Sequence, residues 1–273
     1  MPPLRHELKE TLRDAGLDLG FDAVGFTRLD LLPDHTERLR AWVRSGRVAH
    51  LGYLAHTLRS RGAPAGYQGY AWCRSVLVAT HAYREAESCP PADLLVPSGA
   101  DGPHPAPISR HARGLDYHAW FGTRLAALQV RLELILGRPT RSHAFCDTSA
   151  LPEKRLAVAA GLGRQGRHTL LITPRYGSWV TLGGLLLDLD LPPDPATTDA
   201  CPPGCRRCLD ACPTGALDGR GLDARRCLSY WTIAAKGPMP ADVAACLSGR
   251  VHGCDACQEV CPDNGRSALK ARE

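Results

Sequence analysis

With 273 residues, 22% charged and 44% hydrophobic, the chain has the make-up of a folded protein and not of a disordered one. The length buries a sizeable core without disulfide staples. Its net charge of +5 rests on 33 basic residues, of which only Lys9, Lys154, Lys236 and Lys270 are lysines. Guanidinium groups grip phosphate with paired bonds, but so small an excess does not define a nucleic-acid surface.

Residues 4–15 place Leu4, Leu8 and Leu12 at four-residue steps and predict an amphipathic helix. Residues 21–26 read as a short strand and 36–45 as a helix. Residues 75–80 (SVLVAT) have the apolar, partly β-branched look of a buried strand. Residues 85–107 hold six prolines and predict a loop too long to be a mere connector. A long helix is expected over 117–136, closed by Gly137 and Pro139. A strand end at 143–146, a helix over 153–160 and a strand at 170–173 follow. Residues 178–189 read as one or two strands broken at Gly183-Gly184. This alternation predicts an α/β domain up to about residue 190. The proline-rich stretch 191–204 marks a junction near residue 195.

The first residues, MPPLRHELKETLRDAG, contain no apolar signal core. No apolar run reaches about 18 residues, since Asp188 and Asp190 interrupt the richest one. A cytoplasmic protein with no membrane attachment is expected, and there clustered cysteines point to metal or redox chemistry rather than to disulfides.

The cysteines are unevenly spread. Of 12, nine lie between Cys201 and Cys261. The first run is Cys201-Pro-Pro-Gly-Cys205-Arg-Arg-Cys208-Leu-Asp-Ala-Cys212-Pro213. Its last three cysteines and proline fit the bacterial ferredoxin pattern, with three residues in the first gap instead of two. The second set is Cys227, then Cys254-Asp-Ala-Cys257-Gln-Glu-Val-Cys261-Pro262. Together they supply eight thiolates, the requirement of two [4Fe–4S] clusters. The ferredoxin arrangement interleaves them: Cys201, Cys205, Cys208 and Cys261 on one cluster, Cys212, Cys227, Cys254 and Cys257 on the other. Structural zinc is the alternative, but zinc sites need no proline after the last cysteine. Cys246, Cys73, Cys89 and Cys146 read as buried small hydrophobes. Gly161-Leu-Gly163-Arg-Gln-Gly166 matches a dinucleotide fingerprint in letters only, because it follows a predicted helix rather than a strand.

About 195 residues precede the clusters, more than an electron carrier needs, so the clusters are expected to feed an acceptor such as flavin or corrinoid. The segment Asp147-Thr-Ser-Ala-Leu-Pro-Glu153-Lys154, running on to Gly161-Leu-Gly163, resembles the D-T-A-P-x-x-E-K…A-G-L-G signature of epoxyqueuosine reductases. So do Gly177-Ser-Trp-Val, Ser109-Arg-His-Ala-Arg-Gly-Leu-Asp-Tyr-His118 and the run Gly253-Cys-Asp-Ala-Cys-Gln-Glu-Val-Cys261-Pro. The resemblance spans nearly the whole chain.

The resemblance implies an α/β (α+β) cobalamin-binding domain over residues 1–195, of the reductive-dehalogenase and nitroreductase-like type. A ferredoxin-like double-cluster module over 196–273 follows it. It implies a monomeric enzyme that reduces epoxyqueuosine in tRNA to queuosine, fed by an external low-potential electron donor. Asp147 aligns with the family's proton donor, which suits loss of an epoxide oxygen as water. Arg61, Arg110, Arg113, Asp147, His168, Ser229 and Asp255 fall where the family approaches its corrinoid. Read without the resemblance, Asp147 is a helix N-cap or turn residue, and Glu153 with Lys154 an exposed pair.

Departures are clustered. The family's G-W-I-G-K-N is here Gly163-Arg164-Gln-Gly-Arg167-His168, and its C-P-W-N is Cys261-Pro-Asp263-Asn264. The glutamate usual after L-G is Gly184. The sequence ends twelve residues after Cys261, so the family's tRNA-holding tail is expected to be missing. Three readings follow: a compact epoxyqueuosine reductase, a cobalamin–iron–sulfur reductase of a small molecule by deoxygenation or dehalogenation, and a non-catalytic electron-transfer protein.

Overall fold

A computed structural model describes residues 5–32, 35–51, 54, 58, 68–83, 95–96, 104–105 and 108–265. Arg61 and Cys89 lie outside the described residues. The strands are β1 (Ala23–Thr27), β2 (Ser75–Ala82), β3 (Leu95–Val96), β4 (His104–Pro105), β5 (Ser142–Phe145), β6 (Arg164–Gln165), β7 (Leu171–Ile172) and β8 (Val180–Leu187). The longer helices among the described residues of the first part are α1 (Arg5–Asp18), α2 (His35–Arg44), α3 (Tyr117–Leu136) and α4 (Glu153–Ala159).

Four strands form one sheet in the order β1-β2-β8-β5, and every pairing in it is antiparallel. The architecture is therefore α+β, which corrects the α/β expectation drawn from alternation alone. Local periodicity identifies an element but not the direction in which it pairs. The expected loop at 85–107 also contains a short antiparallel pair, β3 with β4.

Side chains of β2 alternate between two cores, as strand geometry dictates. Leu77 and Ala79 pack with Phe26, Leu12 and the seam Phe121, Leu125, Leu128 and Leu132 of α3. Val76 and Val78 face the other way, onto Phe145, Leu156, Ala157 and Leu171. The α3 seam follows the helical repeat. Its first turn is capped by Asp116, which accepts the His118 N–H at 2.9 Å. Its end is set by Gly137 at φ 64°.

The expected break at Gly183-Gly184 does not occur, since β8 runs through both glycines. They serve close packing instead. A β-carbon on Gly183 would lie 2.4 Å from the Phe121 ring, and one on Gly184 would lie 2.1 Å from the Leu77 carbonyl oxygen. Gly161-Leu-Gly163 follows α4 and leads into β6, so it is no strand-to-helix phosphate loop.

Beyond residue 200 the elements are single turns or little more: α5 (Arg207–Asp210), α6 (Leu228–Ile233), α7 (Ala241–Ala244), α8 (Ala256–Glu259) and α9 (Pro262–Gly265). The buried apolar cluster of this segment is Cys208, Leu209 and Leu217. Polar bonds stitch it to the sheet region. Asn264 Oδ1 accepts the Ser178 N–H at 2.6 Å, and its amide donates to the Ser178 hydroxyl and the Gln258 carbonyl. The Trp42 indole N–H donates to the Leu222 carbonyl at 2.7 Å, and Arg47 pairs with Asp218 at 2.9 Å. Among the described residues, no helix is long and apolar enough to cross a membrane.

Candidate active site

Strand β5 delivers the chain into a turn at Asp147, where φ is +58°, a left-handed conformation that aspartate adopts more readily than most residues. Pro152 precedes α4 as its cap residue, so Asp147 is a turn residue and not the N-cap. Its backbone N–H donates to Glu153 Oε1 at 2.7 Å. Its carboxylate accepts the Tyr117 hydroxyl at 3.0 Å from the first turn of α3. Glu153 is thus a loop anchor and not half of an exposed pair.

Asp147 opens onto a cavity of about 580 Å³. Its apolar wall includes Leu151, Leu171, Val180 and Leu228; its polar groups include Tyr117, Lys154, His168 and Ser229. Lys154 lines this space, its side chain exposed to it but with protein on several sides. Burial pulls its pKa below the usual lysine range, opposed by the nearby Asp147 and Glu153 carboxylates. Burial, aided by Asp147, pushes the Tyr117 phenol up, so Tyr117 remains a hydrogen-bond donor. Cys146, behind the turn, is pushed up to about 12 by burial and by Glu153, and stays a thiol.

His168 separates this cavity from a smaller one and lines both. Burial, with Lys154 nearby, lowers its pKa to about 4. Its Nδ1 accepts the Leu170 N–H at 3.2 Å, which assigns the proton of the neutral ring to Nε2. That Nε2 is buried and has no hydrogen-bond partner among the described residues.

The cysteines divide between the two cavities. Cys212, Cys227, Cys254 and Cys257 line the large one; Cys201, Cys205, Cys208 and Cys261 line the small one. Their mutual electrostatics largely follow this division, with Cys257 also raised by Cys208 of the other set. After burial, Cys208 is raised by Cys201, Cys261 and Cys205, whereas Cys227 is raised by Cys254 and Cys212. The backbone N–H groups of Ser229 and Tyr230 point at the Cys227 sulfur and oppose that rise. No three His, Cys, Asp or Glu side chains among the described residues converge as on a single ion. Four cysteines around a cubane surround a group and need not converge in that way. Cys146 is buried, while Cys73 and Cys246 are only half-buried, contrary to the expectation of small buried hydrophobes. The Cys246 thiol donates to the Pro213 carbonyl at 3.3 Å.

Of the residues singled out in the sequence, Asp147, His168 and Ser229 meet on the large cavity. Asp255 does not line it. Both of its carboxylate oxygens are engaged, one by the Ser109 hydroxyl and the other by the Arg110 N–H at 2.8 Å. Asp255 therefore anchors the 109–114 segment to the cysteine loop. Arg110 stacks over the Trp179 ring at 4.5 Å, and Arg113 donates to the Ile108 carbonyl at 2.8 Å; neither lines the cavity. Tyr117 and Lys154 were missed as site residues. Both sat within the quoted motifs, in Leu-Asp-Tyr-His and Glu-Lys, but nothing in their spacing showed that they turn toward Asp147.

Known proteins bear on this geometry. The family model of the 4Fe-4S double cluster binding domain matches residues 200–264, and that of epoxyqueuosine reductase QueG, DUF1730, matches residues 67–148. The Pseudomonas aeruginosa epoxyqueuosine reductase is 36% identical over 264 residues, covering 96% of this chain and 70% of that protein. The Gloeobacter violaceus epoxyqueuosine reductase is 37% identical over 98% of this chain and 78% of its own length. The solved Streptococcus thermophilus epoxyqueuosine reductase superposes with a TM-score of 0.79 at 29% identity, over 94% of this chain and 66% of that one. An epoxyqueuosine reductase solved with an epoxyqueuosine-modified tRNA-Tyr stem loop gives a TM-score of 0.80 at 29% identity, over 96% and 66%.

A double-cluster segment joined to a cavity-bearing α+β layer defines an iron–sulfur oxidoreductase. The chain belongs to the epoxyqueuosine reductase family. It spans about two thirds of the length of the solved relatives it matches.

Proposed function

We propose that this chain reduces epoxyqueuosine in tRNA to queuosine in the cytoplasm, as a monomer supplied by an external low-potential electron donor. The observation that carries the reading is that the Asp147 carboxylate opens onto the same cavity as Cys212, Cys227, Cys254 and Cys257. A proton source and an electron source then face one substrate space. Removing the epoxide oxygen as water consumes two electrons and two protons and leaves an alkene. The match to relatives named epoxyqueuosine reductase supports the substrate.

Two [4Fe–4S] clusters sit, in this reading, on the two cysteine sets that the cavities separate. The match to the cluster domain from residue 200 onward supports a division near residue 195 into a cobalamin-binding part and a double-cluster part. The large cavity suits a corrinoid: its aliphatic walls match an apolar ring, and Lys154, His168 and Ser229 present polar groups to its amide substituents. These residues would hold cobalamin, whose reduced cobalt would supply the electrons for removing the epoxide oxygen. Around it, Tyr117 orients the Asp147 carboxyl, Asp147 holds the proton for the leaving oxygen, and Lys154 balances the local negative charge. The resemblance also assigns cofactor contacts to Arg61, Arg110, Arg113 and Asp255, and the described three in addition hold the 108–114 segment in place.

The test is an anaerobic assay of reduced, cobalamin-loaded protein on epoxyqueuosine-containing tRNA, read by nucleoside mass spectrometry. Queuosine is expected, and Asp147→Asn is expected to slow its formation by about 10²–10⁴-fold with iron content unchanged. Unaltered tRNA with the full cofactor complement overturns the reading.

A further inference from the structure

Two departures from the family pattern meet in space. Arg164 stands on β6 and Asp263 on α9, and Arg164 Nη2 lies 2.6 Å from Asp263 Oδ2. The family patterns quoted above, G-W-I-G-K-N and C-P-W-N, have tryptophan at both positions. The side chains are 16% and 27% exposed, so this is a largely buried ion pair and not a solvated surface contact. Its surroundings are the small cavity's cysteines. Asp263 lines that cavity with Cys201, Cys205, Cys208 and Cys261, and its Oδ2 lies 3.8 Å from Cys261 Sγ. The Arg164 guanidinium lies beside the Cys201 sulfur. The Arg164 Nε is buried and has no hydrogen-bond partner among the described residues.

A cluster gains one negative charge on reduction, so a neighbouring cation favours the reduced state and a neighbouring anion the oxidised one. Here one charge of each sign flanks the same ligand set, the cation at Cys201 and the anion at Cys261. We propose that the Arg164–Asp263 pair is electrically balanced against the cluster held by Cys201, Cys205, Cys208 and Cys261, each charge cancelling the shift in reduction potential that the other alone would impose. The inference rests on the double-cluster reading and deepens it. A pair that merely latched β6 to α9 would behave differently: losing either partner would loosen the same contact.

The test is an EPR-monitored redox titration of the full chain, purified anaerobically with its clusters. Arg164→Gln leaves Asp263 unopposed and is expected to lower the potential of this cluster. Asp263→Asn leaves Arg164 unopposed and is expected to raise it. Each shift is expected to reach about tenfold in the reduced-to-oxidised ratio, or about 59 mV for a one-electron couple. The double variant R164Q/D263N is expected to return to within threefold of the parental ratio. Shifts of the same sign in both single variants, or no shift in either, overturn the proposal. Where a single variant fails to load its clusters, R164W/D263W supplies an uncharged pair of the family type. A return close to the parental potential there supports the cancellation, and a shift of tenfold or more overturns it. Iron and sulfide contents separate the two failures. A parental chain without about eight irons sinks the cluster reading, whereas full clusters with unmoved potentials sink only this inference.

Discussion

All four phenylalanines of the chain lie in the sheet region, and Phe26, Phe121 and Phe145 are wholly buried there. The segment after residue 200 has none, and its own buried apolar cluster is Cys208, Leu209 and Leu217. The first region is held by packed aliphatic and aromatic layers on both faces of a sheet. The second consists of short turns, tied to the sheet region by the seam through Asn264, Gln258 and Ser178. With a core this small beside the eight cysteines of the two sets, the segment is expected to fold with its cofactor, as other small metallo-domains do.

The largest expected effect breaks the second region while sparing the first. Cys257→Ser removes one ligand from the set on the large cavity. Iron is expected to fall from about eight to about four per chain, with epoxyqueuosine reduction lost. Limited proteolysis of that variant is expected to cut beyond residue 200 and leave the sheet region intact. Cooperative loss of the whole fold would show that the two regions are not energetically distinct. The reverse experiment is Phe121→Ala, which empties the space between α3 and β8. It is expected to destabilise the sheet region by about 3–5 kcal/mol, lowering Tm, while the iron stoichiometry of the folded fraction stays at about eight.

The contrast also explains what could be read in the sequence. The end of helix α3 was legible because Gly137 and Pro139 carry its stop signal locally; the Asp116 cap at its start is a local signal of the same kind. The cysteine partition was legible because cluster ligands are spaced by short loops, and the two cavities separate the same two sets. What failed was long-range. Gly183 and Gly184 looked like a strand break because their reasons for being glycine, Phe121 and Phe145, lie far away in the sequence. The anchoring bond of Asp255 could not be seen because its partner Ser109 is 146 residues distant. The antiparallel pairing of β1, β2, β8 and β5 is a property of how strands meet, which no single strand encodes.

A smaller effect sharpens the boundary between the regions. Asp194 sits in the proline-rich stretch that leads out of the sheet region. Its carboxylate accepts Lys9 Nζ at 2.9 Å, Arg13 Nη2 at 2.8 Å and the Phe26 N–H at 2.8 Å, and its own N–H donates to the Phe26 carbonyl. Burial alone would raise the Asp194 pKa, but these donors outweigh it and hold it below the usual carboxylate range. A lowered folded pKa means that the unfolded chain binds the proton more readily. The stabilisation is therefore fully present above the unfolded value near 3.8 and is lost only as pH falls through the lower folded one. Asp194→Asn is expected to cost about 2 kcal/mol, chiefly by leaving the buried Lys9 ammonium with only the longer 3.7 Å contact to Glu10 and Arg13 without its carboxylate on this side. Thermal scans at a fixed rate should give the same Tm gap between variant and parent at pH 8, 7 and 5. A gap that shrinks between pH 7 and pH 5 would mean that Asp194 does not carry the charge that pins this junction to α1 and β1.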